Sequence, residues 1–160
     1  KKDKYVGIDL SKERIRIAKD YVKEANLNHK NPILLSSYKK ALSDLLKNKK
    51  FDTILIYTVL SHNPPKDVEK ILREAKQFLA KDGKIFIDYD NKSDGDHFMN
   101  FLGFKIKTSI KDYKLADEEM FFILKKLNFD YKIINDFIDF QTDKTVRPSS
   151  KMLMLSNKNK

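Results

Sequence analysis

Tyr5-Val-Gly-Ile-Asp9-Leu-Ser11-Lys-Glu-Arg-Ile15-Arg-Ile-Ala18 is the stretch from which the rest of the chain can be read. Tyr5 to Ile8 is a short, largely β-prone apolar run bounded by charge, which predicts a buried strand. Ser11 stands just before an apolar spacing of Ile15, Ala18, Val22 and Ala25. That spacing puts one stripe on one face of a helix, with Ser11 as its N-cap and its end near Ala25 or Asn26. Asp9 is thereby placed at the carboxyl tip of a strand, directly ahead of a helix. Open α/β sheets bind ligands at such tips, and in nucleotide-binding sheets an acid there accepts hydrogen bonds from ribose hydroxyls. An aspartate also simply ends strands and starts turns, so position alone leaves both roles open.

Working outward, the same alternation repeats. Pro32 leads into a short strand, Ile33 to Ser36, with Ser37 and Tyr38 at its tip. Ala41, Leu42, Leu45 and Leu46 predict a helix from about Lys39 to Asn48. Phe51 to Tyr57 is a continuous β-branched and aliphatic run, as expected of a central strand covered on both faces. After a loop from Thr58 to Asn63, Pro64-Pro65 opens a helix whose inner stripe is Val68, Ile71, Leu72, Ala75, Phe78 and Leu79. Lys81-Asp82-Gly83 reads as that helix's stop, and Lys84 to Asp88 as the next strand. Strand and helix in turn predict a parallel sheet with right-handed crossovers. Residues 89–114 read as a lid or acceptor-binding insertion. A helix from Leu115 to Leu127 and strands from Tyr131 to Gln141 and Lys151 to Ser156 read as an antiparallel finish, and the tail from Asn157 as disordered.

Composition bounds the class. A chain of 160 residues, 41% hydrophobic with eleven Phe, is long enough for one domain with a real core, taken as residues 1–160. No apolar run approaches the roughly 20 residues that span a bilayer, and no secretory pattern opens the chain, so a cytoplasmic setting is expected. Zero cysteines exclude disulfides, thiolate metal sites and cysteine nucleophiles within this stretch. The net charge of +10 raises a nucleic-acid partner. That partner is not favoured, because lysines and acids interleave along every element and no nucleic-acid motif accompanies them.

The ordered set of segments resembles the class I S-adenosylmethionine-dependent methyltransferases. Tyr5 to Ala18 looks like that family's second strand and following helix, and Phe51-Asp-Thr-Ile-Leu-Ile-Tyr-Thr-Val-Leu-Ser-His62 like its fourth strand and loop. Ile71 to Asp88 looks like the long helix, glycine turn and fifth strand. The resemblance implies a Rossmann-like three-layer α/β sandwich, mostly parallel with an antiparallel C-terminal hairpin. The family's first strand and glycine-rich loop would lie before Lys1, so an upstream segment of about 30 to 80 residues is expected. The cofactor implied is S-adenosylmethionine, with S-adenosylhomocysteine as product. Asp9 would then hold the ribose hydroxyls and Leu10 pack beside the adenine, with Ser37 and Tyr38 near the adenine amine. Tyr57 and Thr58 would line the floor beneath the methyl donor.

For the transfer itself, His62 is the candidate general base, since an imidazole titrates near neutrality; its alternative role is to pack at the entry to the next helix. His97, Tyr113 and Arg147 are candidate acceptor contacts. Asp88 either orients a substrate or closes its strand. Candidate metal ligands lie on separated elements, so no metal is expected. A small-molecule acceptor is the favoured reading; an RNA or protein methyltransferase, or a catalytically silent scaffold of the same fold, are the rivals.

Overall fold

The computed structural model describes residues 5–90, 98–101, 104–107, 115–134 and 150–158. The chain divides into two compact units, residues 1–49 and 50–160, which are taken in turn.

In the first unit β1 (Val6–Asp9) and β2 (Ile33–Ser36) pair in parallel, with Val6 opposite Ile33 and Asp9 opposite Ser36. Between them runs α1 (Lys12–Glu24), and Ser11 caps it as expected: its Oγ accepts the Arg14 N–H. On the solvent side Arg16 pairs with Glu13 at 2.7 Å and Asp20 at 2.8 Å, one turn away on either side. The helix expected over Lys39 to Asn48 is shorter, α2 (Leu42–Leu46). Two features delay it: the Ser36 Oγ accepts the Tyr38 N–H, and Lys39 takes φ 56°, so the chain turns before it can coil.

The second unit holds a four-stranded sheet in the order β3 (Phe51–Ile56), β4 (Leu79–Asp90), β8 (Ser150–Asn157), β7 (Phe129–Ile134). β3 and β4 are parallel, while β8 runs antiparallel to both β4 and β7. The carboxyl ends of β3, β4 and β7 therefore share one edge with the start of β8. A separate antiparallel pair, β5 (Phe98–Phe101) and β6 (Phe104–Lys107), lies within the stretch expected to form a lid; the remainder of that stretch from 91 to 114 lies outside the described residues.

Parallel β3 and β4 are connected by α3 (Pro65–Phe78), with Pro65 in its first turn. Val68, Leu72 and Ala75 of α3 and Met120, Ile123 and Leu124 of α4 (Asp117–Lys126) bury against Ile85, Ile87, Leu153 and Leu155 in one core. At the far end of α4, Lys76 donates to the carbonyls of Leu127 and Asn128 and lies 4.6 Å from the Phe129 ring centroid. Those carbonyls would otherwise be left open at a helix C-terminus.

Three expectations need correction here. Gly83 does not stop α3: the backbone is already extended at Leu79, where β4 begins. Gly83 serves a different need, since a Cβ there would sit 2.9 Å from the Phe51 carbonyl oxygen and 3.1 Å from that of Asp52. The β3–β4 register moves at this place from Phe51 opposite Leu79 to Thr53 opposite Lys84, so β4 carries three more residues than β3 across the same span. Among the described residues of its unit, β3 is not covered on both faces. It pairs with β4 alone among the described strands, and Leu55 is 63% exposed. Finally Asn157, placed in the tail, closes β8 opposite Phe129.

Candidate functional site

At the tip of β1, Asp9 is held from below. Its Oδ1 accepts the Ser11 N–H at 2.7 Å, an Asx turn, and its carbonyl accepts the Ser37 N–H at 3.0 Å. Its Oδ2 lies 3.8 Å from the Arg14 guanidinium, which is itself largely exposed. The carboxylate is thus oriented by backbone yet keeps acceptor capacity toward solvent.

Beside it Leu10 is 71% exposed, an apolar side chain placed on a strand tip with nothing from its own unit over most of its surface. Ser36, a residue that sequence reasoning passed over, ties the two tips together: its Oγ donates to the Leu10 carbonyl at 3.2 Å and accepts the Tyr38 N–H. Ser37 is half-buried, with its carbonyl accepting the Lys40 N–H. Tyr38 is half exposed, flanked by the Lys12 and Lys39 ammonium groups at 5.3 and 5.5 Å from its ring centroid. Asp9, Leu10, Ser37 and Tyr38 are thus gathered at the two tips of one parallel pair. Together they offer acceptor oxygens, an aliphatic surface and an aromatic face.

In the second unit Tyr57 is half-buried and Thr58 exposed, just past β3. The Thr58 N–H donates to the Asp88 Oδ1 at 2.7 Å. A 3₁₀ turn at Leu60–His62 follows, in which Leu60 is fully buried and His62 exposed. At the same sheet edge lies a polar node with no local signal in the residue order. The Tyr89 hydroxyl donates to Asp117 Oδ1 at 2.8 Å, and the Lys151 ammonium pairs with Asp117 Oδ2. Burial of Tyr89, reinforced by the Asp117 carboxylate, raises the phenol well above its ordinary pKa. Burial alone would raise Asp117, but the Lys151 ammonium and the Tyr89 hydroxyl outweigh it and hold the carboxyl below its ordinary value. His97, Tyr113 and Arg147 lie outside the described residues. Among the described residues no group of three His, Cys, Asp or Glu side chains is placed to hold a metal ion. No described helix is long and apolar enough to cross a membrane.

A parallel α/β arrangement with an oriented carboxylate at a strand tip, followed by a capped helix, defines a nucleotide-cofactor type of fold. The family described as "Methyltransferase domain" matches residues 1–85, more than half of the sequence. The chain belongs to this methyltransferase family. It is similar to the ubiquinone biosynthesis O-methyltransferase of Pelagibacter ubique (strain HTCC1062), with 37% identity over 89 residues. That alignment covers 55% of the chain and 33% of the relative, so the chain spans about a third of the length of this curated relative.

Two solved structures carry the same fold. A S-adenosylmethionine-dependent methyltransferase from Clostridium acetobutylicum ATCC 824 superposes with a TM-score of 0.69 at 15% identity, covering 98% of the chain and 76% of that protein. The magnesium protoporphyrin IX methyltransferase of Synechocystis PCC 6803, solved with bound S-adenosylmethionine, gives 0.63 at 14% identity, covering 95% and 58%.

Proposed function

We propose that this chain is part of an enzyme that transfers a methyl group from S-adenosylmethionine to an oxygen of a small-molecule acceptor. The observation that carries the reading is the pair of strand tips in the first unit, where Asp9 is aimed by the Ser11 N–H beside an exposed Leu10 and Tyr38. An acceptor carboxylate next to an aliphatic and an aromatic surface suits a ribose joined to a purine. Family membership over residues 1–85 supports the cofactor class, and the O-methyltransferase relative supports an oxygen acceptor.

When bound, the cofactor supplies an electrophilic methyl on a positively charged sulfur. The chain's own residues then have three tasks. Asp9 accepts the two ribose hydroxyls, while Leu10 packs on the adenine, with Ser37 and Tyr38 near its amine. Tyr57 and Thr58 contact the methyl-donor end. His62 takes the proton from a hydroxyl acceptor as it attacks, a role that suits an exposed imidazole. Most of the acceleration in such a displacement comes from alignment and exclusion of water, about 7 to 11 kcal/mol for well-oriented reactants. His97, Tyr113 and Arg147 remain the proposed acceptor contacts.

Calorimetric titration of S-adenosylhomocysteine into the full-length protein tests this reading. Micromolar binding that weakens at least about tenfold in Asp9→Ala, or about 1.4 kcal/mol, is the expected result. Absence of binding to the folded parent sinks the enzyme reading and favours a silent scaffold of the same fold. Binding that ignores Asp9 reduces that residue to its turn.

A further inference from the structure

Thr58 is the one threonine among six described non-glycine residues with positive φ, at 54°. Three of the others are asparagines, which tolerate the left-handed region, whereas for a β-branched residue it is a true outlier. Such a conformation persists only where its surroundings over-determine it, and such outliers gather at functional sites. On its C-terminal side the chain is pinned. Leu60 is fully buried, the His62 N–H donates to the Val59 carbonyl, and the Asn63 side-chain amide donates to the same carbonyl at 2.7 Å. On its N-terminal side Ile56 is fixed in the sheet opposite Ile87. The turn between these anchors is where the strain sits.

The group that meets it comes from the neighbouring strand. Asp88 follows Ile87, level with the end of β3, and its Oδ1 accepts the Thr58 N–H at 2.7 Å. A bond from a backbone N–H to a carboxylate is about twice as strong as one between neutral groups. With Ile56 fixed in the sheet, this bond sets the plane of the Tyr57–Thr58 peptide, from which the left-handed Thr58 turns the chain. The same turn sets the course of the chain into the 3₁₀ turn that presents His62.

We propose that Asp88 is a positioning residue: its carboxylate, from across the sheet, holds the Tyr57–His62 connection in the conformation that methyl transfer requires. The inference rests on the functional reading above, in which Tyr57 and Thr58 meet the cofactor and His62 the acceptor. It assigns Asp88 to the protein's own backbone rather than to substrate.

Four variants of the full-length protein test it: Asp88→Ala, Asp88→Asn, Thr58→Gly and Asp88→Ala combined with Thr58→Gly. Two readouts are used, affinity for S-adenosylhomocysteine by calorimetry and exchange protection of the residue 58 amide by NMR without ligand. Asp88→Ala is expected to weaken binding about tenfold or more and to lose the amide protection, while Asp88→Asn, which keeps an acceptor oxygen, stays within about threefold of the parent. Glycine reaches the left-handed region without steric cost, so removing Asp88 in the Thr58→Gly background should weaken binding by no more than about threefold relative to Thr58→Gly alone. Parental affinity or parental amide protection in folded Asp88→Ala overturns the proposal, as does an undiminished loss in the glycine background. If the parent itself fails to bind, the methyltransferase reading falls on its own, and amide exchange still decides whether Asp88 holds the turn.

Discussion

Asp9 in the first unit and Asp88 and Asp117 in the second use their carboxylates differently. Residues 1–49 bury few large side chains: Ile15 and Leu46 are the buried hydrophobics there among the described residues, and Leu10 and Tyr38 stand exposed at the strand tips. Asp9 in that unit is steadied by the Ser11 N–H, lies beside the exposed Arg14 and stays partly open to solvent. Among the described residues the other buried hydrophobics all lie in residues 50–160, and two carboxylates there turn onto the protein's own groups. Asp88 holds a backbone turn, and Asp117 joins Tyr89 to Lys151. A deep apolar core can hold a strained turn and a half-buried ion pair. A thin one leaves its polar groups available to whatever binds there.

The largest test of this contrast is truncation of the two cores. Leu72→Ala, at a site with no exposure, should lower unfolding stability by about 2 to 5 kcal/mol in urea titration. Ile15→Ala, in the thinner unit, should cost clearly less; equal losses would erase the distinction.

The polar node gives the next effect. Lys151→Met leaves the Asp117 carboxylate with less to offset its partial burial, and should cost about 1 to 3 kcal/mol. Because the folded pKa of Asp117 is held below its unfolded value near 4, its contribution is present above pH ~4 and is lost as pH falls through the folded value. Acid unfolding of Lys151→Met should therefore show a shallower loss below pH 4 than the parent.

Smaller still is Tyr89→Phe, which keeps the ring but gives up the hydroxyl bond to Asp117, at about 1 kcal/mol. The folded phenol pKa is raised, so its contribution is intact below pH ~10 and declines as pH rises toward the folded value. The variant should lack that alkaline decline in a pH series of melting curves. At the bottom of the scale is Glu69→Gln. It breaks the pairs to Lys126 and Arg73 on the solvent face of the helices, and its urea midpoint should match the parent's.

What could be read from the sequence was local. Ser11 as a cap, Ile33–Ser36 as a strand and Pro65 in a helix's first turn each depend on neighbours a few residues away, and each stands as expected. Asp9 at a strand tip belongs to the same kind. What escaped was long-range. The Ser36 bond to Leu10 spans 26 residues, Thr58 to Asp88 spans 30, and Tyr89 and Lys151 reach Asp117 across 28 and 34. No periodicity reports such partners. Gly83 misled for the same reason: a glycine after a helix looks like a stop, and the close Phe51 and Asp52 carbonyls explain why it is needed.

The irregular start of β4 bears on how this protein can change length. Between the pairs Phe51–Leu79 and Thr53–Lys84 β4 stores spare residues, while from Lys84 to Ile87 it is gripped on both sides by β3 and β8. Insertions and deletions of one or two residues at Ala80 to Asp82 should be absorbed in that slack without rotating Ile85, Ile87 or Tyr89 out of the core, leaving the urea midpoint close to the parent's. The same changes a few residues later would turn the whole strand over.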